Sequence, residues 1–136
     1  MSMNHALRAL GLALLLVAVA GGCGRRDMGR VSGTLTFNGQ PVPKAAVKFL
    51  PQGRPAGAGE TDEAGRFVLN TLTKGDGAFK GACVVAVEPV PEFEPGSLEP
   101  KPRPDIPQVY RAYQTTPFKA DVSAGKDNVF TFDMQG

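Results

Sequence analysis

The chain has 136 residues, with 15 Lys and Arg against 13 Asp and Glu, one His, two Cys and no Trp. That length suits one domain, and a formal net charge of +2 argues against a nucleic-acid binder, which concentrates basic residues on one face. The one histidine is His5, in a segment expected to be removed, so most imidazole chemistry is excluded from the remainder.

Ala9 to Ala20 is an uninterrupted apolar run after a polar start that carries His5 and Arg8. At 12 residues it falls short of the roughly 20 that a spanning helix needs. A charged start, a short apolar core and small residues at its end describe a secretory signal peptide over residues 1–22. Gly21-Gly22 ends the run and Gly24-Arg25-Arg26-Asp27 follows it, which a buried helix of a soluble domain would not do.

The stretch Val19-Ala20-Gly21-Gly22-Cys23 resembles the lipobox of bacterial lipoproteins, in which small residues precede a Cys. The resemblance implies cleavage between Gly22 and Cys23, acylation of Cys23 by palmitate-type chains, and a lipidated tether over residues 23–30. Ala20 stands where the lipobox most often has Leu. Gly24 replaces the Asp that favours inner-membrane retention, which implies an outer membrane (periplasmic face) or the cell surface. The expected location is thus the cell envelope, lipid-anchored and extracytoplasmic, with the membrane as partner through Cys23. Removing 22 residues from 136 leaves 114, enough to bury about two-thirds of the unfolded surface without a covalent staple. Cys83 is then the lone thiol, with no intramolecular disulfide available.

From Val31 the chain alternates with period 2. Val31, Gly33, Leu35 and Phe37 share one face, with Ser32, Thr34 and Thr36 on the other, as in a half-buried strand. Asn38-Gly39 supplies a turn in which positive φ is cheap. Ala45 to Leu50 is a second strand with Val47 and Phe49 inward, and Pro51 to Gly59 is expected as a Gly/Pro loop. Thr61-Asp62-Glu63-Ala64-Gly65 is a turn whose Asp bonds its own backbone. Arg66 to Asn70 continues as a strand with Phe67 and Leu69 inward, and Lys74 to Gly77 turns again. Ala82 to Glu88 is apolar on both faces and is expected as a central strand. Seven of the 12 prolines lie between Pro89 and Pro107, so residues 89–117 are expected as a long, largely extended loop. Two last strands, near Phe118 to Val122 and Asn128 to Met134, are joined by Ala124-Gly125-Lys126-Asp127, with Phe130, Phe132 and Met134 filling the core. The expected fold is all-β: a seven-stranded antiparallel β-sandwich over residues 31–136.

The series Val31-Ser32-Gly33-Thr34-Leu35, Asn38-Gly39-Gln40-Pro41-Val42, Ala46-Val47-Lys48-Phe49, Thr61-Asp62-Glu63-Ala64-Gly65-Arg66-Phe67 and Gly81-Ala82-Cys83-Val84-Val85-Ala86-Val87 resembles carboxypeptidase regulatory-like domains, over roughly Val31 to Glu88. The resemblance implies a transthyretin-like (prealbumin-like) sandwich. Tyr110, Thr115-Thr116-Pro117 and Phe130-Thr131-Phe132-Asp133 look like the C-terminal half of small lipoproteins built on this domain. The chain departs from the family at Cys83, where Tyr is commoner. The family name describes a neighbour of a peptidase and implies no activity, since the zinc ligands belong to the other domain.

Composition leads to the same expectation of no enzyme. A catalytic zinc site draws on two or three imidazoles, and none remains after cleavage. Ser32, Ser97 and Ser123 stand in no G-x-S-x-G elbow. Asp62 and Glu63 are neighbours in a turn, where bonding that turn is the ordinary role. Asp62 with Asp76 or Glu60 lacks calcium-loop spacing, and Lys74-Gly75-Asp76-Gly77 lacks the phosphate-loop pattern. Cys83 is expected as a small core residue. Arg25-Arg26, beside the anchor, can meet anionic headgroups. Tyr110 and Tyr113, at the exit of the Pro-rich loop, are the candidate ligand contacts, or else pin that loop to the sandwich. The expected function is a non-catalytic structural or recognition role toward an envelope protein, peptide or glycan. It uses no cofactor, metal or nucleic acid; the alternative is a soluble secreted carbohydrate-binding module.

Overall fold

The computed structural model describes residues 26–101 and 106–136; the signal peptide and the Gly22–Cys23 junction lie outside the described residues. Among the described residues there are nine strands, one 3-10 turn and no α-helix. The strands are β1 (Met28–Phe37), β2 (Gln40–Pro41), β3 (Ala45–Pro51), β4 (Gly57–Glu60), β5 (Arg66–Val68), β6 (Ala78–Phe79), β7 (Gly81–Pro89), β8 (Lys119–Val122) and β9 (Asp127–Met134). The 3-10 turn is Gln108–Tyr110.

The strands form two sheets, consistent with a β-sandwich. In the first, β1 is central. Its residues from Arg30 to Phe37 pair with β9, which leaves the other side of that stretch for β5 at Ser32–Thr34 and β2 at Thr36–Phe37; β6 joins at Met28–Gly29. The second sheet has the order β4-β3-β7-β8, so β7 has a strand on each edge, the central place expected of it. All pairings are antiparallel except one: β1 and β9 run parallel. The expectation of a wholly antiparallel sandwich is corrected there. The reason lies in the 123–126 connection, which carries the chain from β8 in one sheet to β9 in the other rather than folding it back as a hairpin.

Local sequence accounts for most boundaries. Asn38 and Gly39 both take positive φ (47° and 85°), the two-residue turn whose twist matches its flanking strands. Strand β1 starts at Met28, three residues ahead of the visible alternation, because the buried Met28 pairs with Phe79. Three of the four residues of strand β4, Gly57 to Gly59, fall inside the stretch expected as a loop. The strand pairs with β3 from Ala46 to Phe49, and its glycines are required: a Cβ at Gly59 would sit 2.2 Å from the Val68 carbonyl oxygen. The Pro-rich segment is less extended than expected. Phe93 bridges Pro100, and the Lys101 N–H donates to the Glu92 carbonyl at 2.7 Å.

The core lies between the sheets. Val31 and Leu35 of β1, Phe67 of β5 and Phe132 and Met134 of β9 face Val47 and Phe49 of β3, Cys83, Val85 and Val87 of β7, and Ala120 and Val122 of β8. Phe49 is at its middle, with ring centroids of Phe130, Phe132 and Phe67 at 5.6, 5.9 and 6.4 Å. Such tilted pairs add about 0.5–1.5 kcal/mol each beyond area burial.

Strand directions give the sandwich two ends. At the entry end lie the start of β1, the β3–β4 turn, the 70–80 segment and the β8–β9 connection. At the far end lie the β1–β2 turn, the start of β3, the 60–65 turn, the Pro-rich segment and the end of β9.

Candidate functional site

The far end holds a groove of about 480 Å³. Phe37, Pro41, Val42 and Met134 give it an apolar floor, Ile106 comes from near the end of the Pro-rich stretch, and Lys44 and Glu92 stand at its rim. Volumes of 300–1,000 Å³ with an apolar lining and a few polar groups are usual for ligand sites. The chain fixes Lys44 from three directions. Its N–H donates to the Thr61 carbonyl at 3.2 Å, its carbonyl accepts from Val90 at 3.0 Å, and its Nζ lies 3.6 Å from Glu60 and 3.8 Å from Glu92. It takes φ 54°, a left-handed conformation uncommon for a residue with a side chain. Thr61, buried beneath it, accepts from the Ala45 N–H at 2.9 Å. Strain held in place by several contacts is typical of positions that present a side chain.

A second, shallower groove of about 840 Å³ lies at the entry end, between the Leu50–Pro55 turn, residues 82–84 and residues 119–121. Cys83 reaches it only by the edge of its buried side chain. Burial, helped by the nearby Asp121 carboxylate, pushes its thiol up to about 11. A thiol so placed is inert at neutral pH, in keeping with its expected place in the core.

The two tyrosines separate. Tyr110 is only 6% exposed and stacks on Phe118 with centroids 4.9 Å apart. Its hydroxyl accepts from the Gln135 N–H at 2.8 Å. It thus pins the exit of the Pro-rich segment to the end of β9 and has no free face for a ligand. Tyr113 is half-buried beside the Lys48–Glu88 ion pair, and burial raises its hydroxyl above the ordinary value. Neither tyrosine lines the far-end groove.

The remaining candidates are engaged in turns. The Asp62 carboxylate accepts from the N–H groups of Ala64 and Arg66, both at 2.9 Å, and these donors, Arg66 first, hold it below the ordinary range. Asp76 accepts from the N–H groups of Thr71, Leu72 and Thr73 at 2.7–2.8 Å. Partial burial works to raise its carboxyl, but the three donors outweigh it and the net direction is down. No three of His, Cys, Asp and Glu come together to hold a metal among the described residues. Gly22 and Cys23 lie outside the described residues.

The far-end groove was not legible in the sequence, because its lining comes from four separated segments. The one available signal was the Pro41-Val42-Pro43-Lys44 run, where two prolines and a valine follow a turn without the alternation of a strand. Comparison of the chain with protein-family models, with curated proteins and with solved structures gives no match.

Proposed function

We propose that this chain is a lipid-anchored, extracytoplasmic module with a non-catalytic recognition role, built on a transthyretin-like sandwich. The strand order β4-β3-β7-β8 against β5-β1-β9 supports that architecture. The lipobox-like Val19 to Cys23 stretch supports acylation of Cys23. One observation carries the functional reading: the more enclosed groove opens at the far end, while the chain enters β1 at the other end, five residues after Cys23. An acyl anchor at Cys23 therefore directs the groove away from the membrane, toward an envelope protein or peptide with an apolar side chain to insert.

Intact mass of the membrane-extracted protein, beside Cys23→Ala, tests the anchor. The expected mass is that of the chain from Cys23 onward plus acyl chains, absent in the variant. Recovery of envelope material by the wild type and its loss in Val42→Arg, which fills the groove with a charge, tests recognition. An unmodified soluble chain would instead favour the secreted carbohydrate-binding alternative. For that alternative, binding on a glycan array should depend on Tyr113, since Tyr110 is engaged in packing.

A further inference from the structure

We propose that the entry end of the sandwich docks on an anionic lipid surface; this rests on the anchored reading above and deepens it. The near-neutral net charge conceals a strong polarity. The entry end carries seven cations, Arg26, Arg30, Arg54, Lys74, Lys80, Lys119 and Lys126, against four carboxylates, Asp27, Asp76, Asp121 and Asp127. The far end is the reverse, with eight carboxylates in the 60–63 turn, at Glu88, in the 92–99 stretch and at Asp133, against five cations, Lys44, Lys48, Arg66, Lys101 and Arg111.

Three of the four entry-end carboxylates, all but the exposed Asp121, do little to mask that field. Asp27 pairs with Arg54, and Asp127 pairs with Arg30 at 2.8 Å. Asp76 is turned onto the backbone of its own loop. Among the described residues, Arg26, Lys74, Lys80 and Lys126 enter no ion pair, and all four are exposed. A second feature selects lipid over another polyanion. Leu72, two residues before Lys74, is 53% exposed at this same end; an apolar side chain among cations suits the headgroup–acyl boundary. Reach agrees, since the five residues from Cys23 to Met28 span at most about 18 Å. That is too short to let the far end, a ten-residue strand away, turn toward the bilayer. Each cation near such a surface strengthens partition about fivefold.

The test is an orientation measurement on the full chain reconstituted into phosphatidylcholine vesicles with and without phosphatidylglycerol, each carrying a headgroup quencher. A fluorophore is placed on Ser123→Cys at the entry end or on Ser97→Cys at the far end, while Cys83 stays unlabelled because it is buried. The expected result is stronger quenching of the Ser123 probe on the anionic vesicles, with no change for the Ser97 probe. High salt, or the triple change Lys74→Glu, Lys80→Glu and Lys126→Glu, should remove the difference. Equal quenching of the Ser123 probe on both vesicles overturns the proposal and assigns the cations to an acidic protein instead. The comparison varies only the lipid beneath one labelled protein, so it does not depend on the charge-reversed triple variant folding. Intact mass on the same sample reports acylation separately. If Cys23 carries no lipid, the same measurement on Cys23→Ala chains decides whether the basic end binds lipid without an anchor.

Discussion

The side-chain amide of Asn128 donates to the carbonyl of Arg30 at 3.0 Å, tying the first residue of β9's inner row to the strand at the opposite end of the sequence. The same nitrogen serves the carbonyls of Ser123 and Lys126, and its oxygen accepts from the Ser123 N–H. One buried amide thus holds the corner at which the chain changes sheets. Asn128→Ala should lower stability by about 2–3 kcal/mol, since several buried backbone groups lose their partner together. Asn128→Asp should be no better, because it sets a carboxylate against three carbonyl oxygens. Urea denaturation, with the midpoint falling at constant slope, is the measurement.

Lys44→Gly should stabilise the fold by about 0.5–1 kcal/mol by relieving a left-handed backbone that only glycine adopts freely. The same change removes the groove's cation, so a higher melting temperature should come with weaker recovery of whatever the groove binds. A lower melting temperature would mean that the contacts of Lys44 with Glu60 and Glu92 matter more than the backbone strain.

Cys83 should resist alkylation in the folded protein at pH 8 and react fully once denaturant is added. Its thiol is raised from 9.0 to about 11 in the folded state, so between those values the folded chain keeps a proton that the unfolded chain has lost. Stability from this group is complete below pH 9 and declines as pH rises toward 11. Cys83→Ala, followed by thermal melts across that range, should flatten the decline.

Asp76 has the opposite sign. Its carboxyl is lowered, so its contribution is present above the ordinary value of 3.8 and is lost as pH falls through the folded-state value. Asp76→Asn should cost about 1 kcal/mol at neutral pH, because an amide offers the three N–H donors one neutral oxygen instead of a charged pair. The gap between wild type and variant should close in acid.

Tyr110→Phe should cost about 1 kcal/mol through the lost bond to Gln135, whereas Tyr113→Phe should stay within the scatter of surface changes. Equal costs would contradict the separate positions of the two rings.

What the sequence revealed was alternation, and alternation reports only faces. It placed Val31 and Leu35, Val47 and Phe49, Cys83, Val85 and Val87, and Phe132 and Met134 inward, as they are. It also identified the Asn38-Gly39 and Asp62 turns, whose chemistry is local. It could not reveal β4, because Gly57 and Gly59 have no side chains to alternate and are shaped by close neighbours, Thr71 and the Gly77 carbonyl at Gly57 and the β5 backbone at Gly59. Nor could it tell which sheet β9 joins. That depends on Asn128 reaching back to Arg30, 98 residues away, and a lone Asn after a turn looks like any other. The charge polarity between the ends was invisible for a related reason: it depends on strand direction, and the two halves nearly cancel in the sum.

The parallel pairing of β1 with β9 also sets an order of events. Strand β1 cannot complete its sheet until β9, some 98 residues further along, has been synthesised, and pairings between such distant segments form slowly. A chain that emerges N-terminus first, from a ribosome or through any narrow passage, therefore keeps the first sheet open until β9 is free. Deleting β9 would remove β1's longest partner. Completion of the first sheet is thereby tied to the emergence of β9.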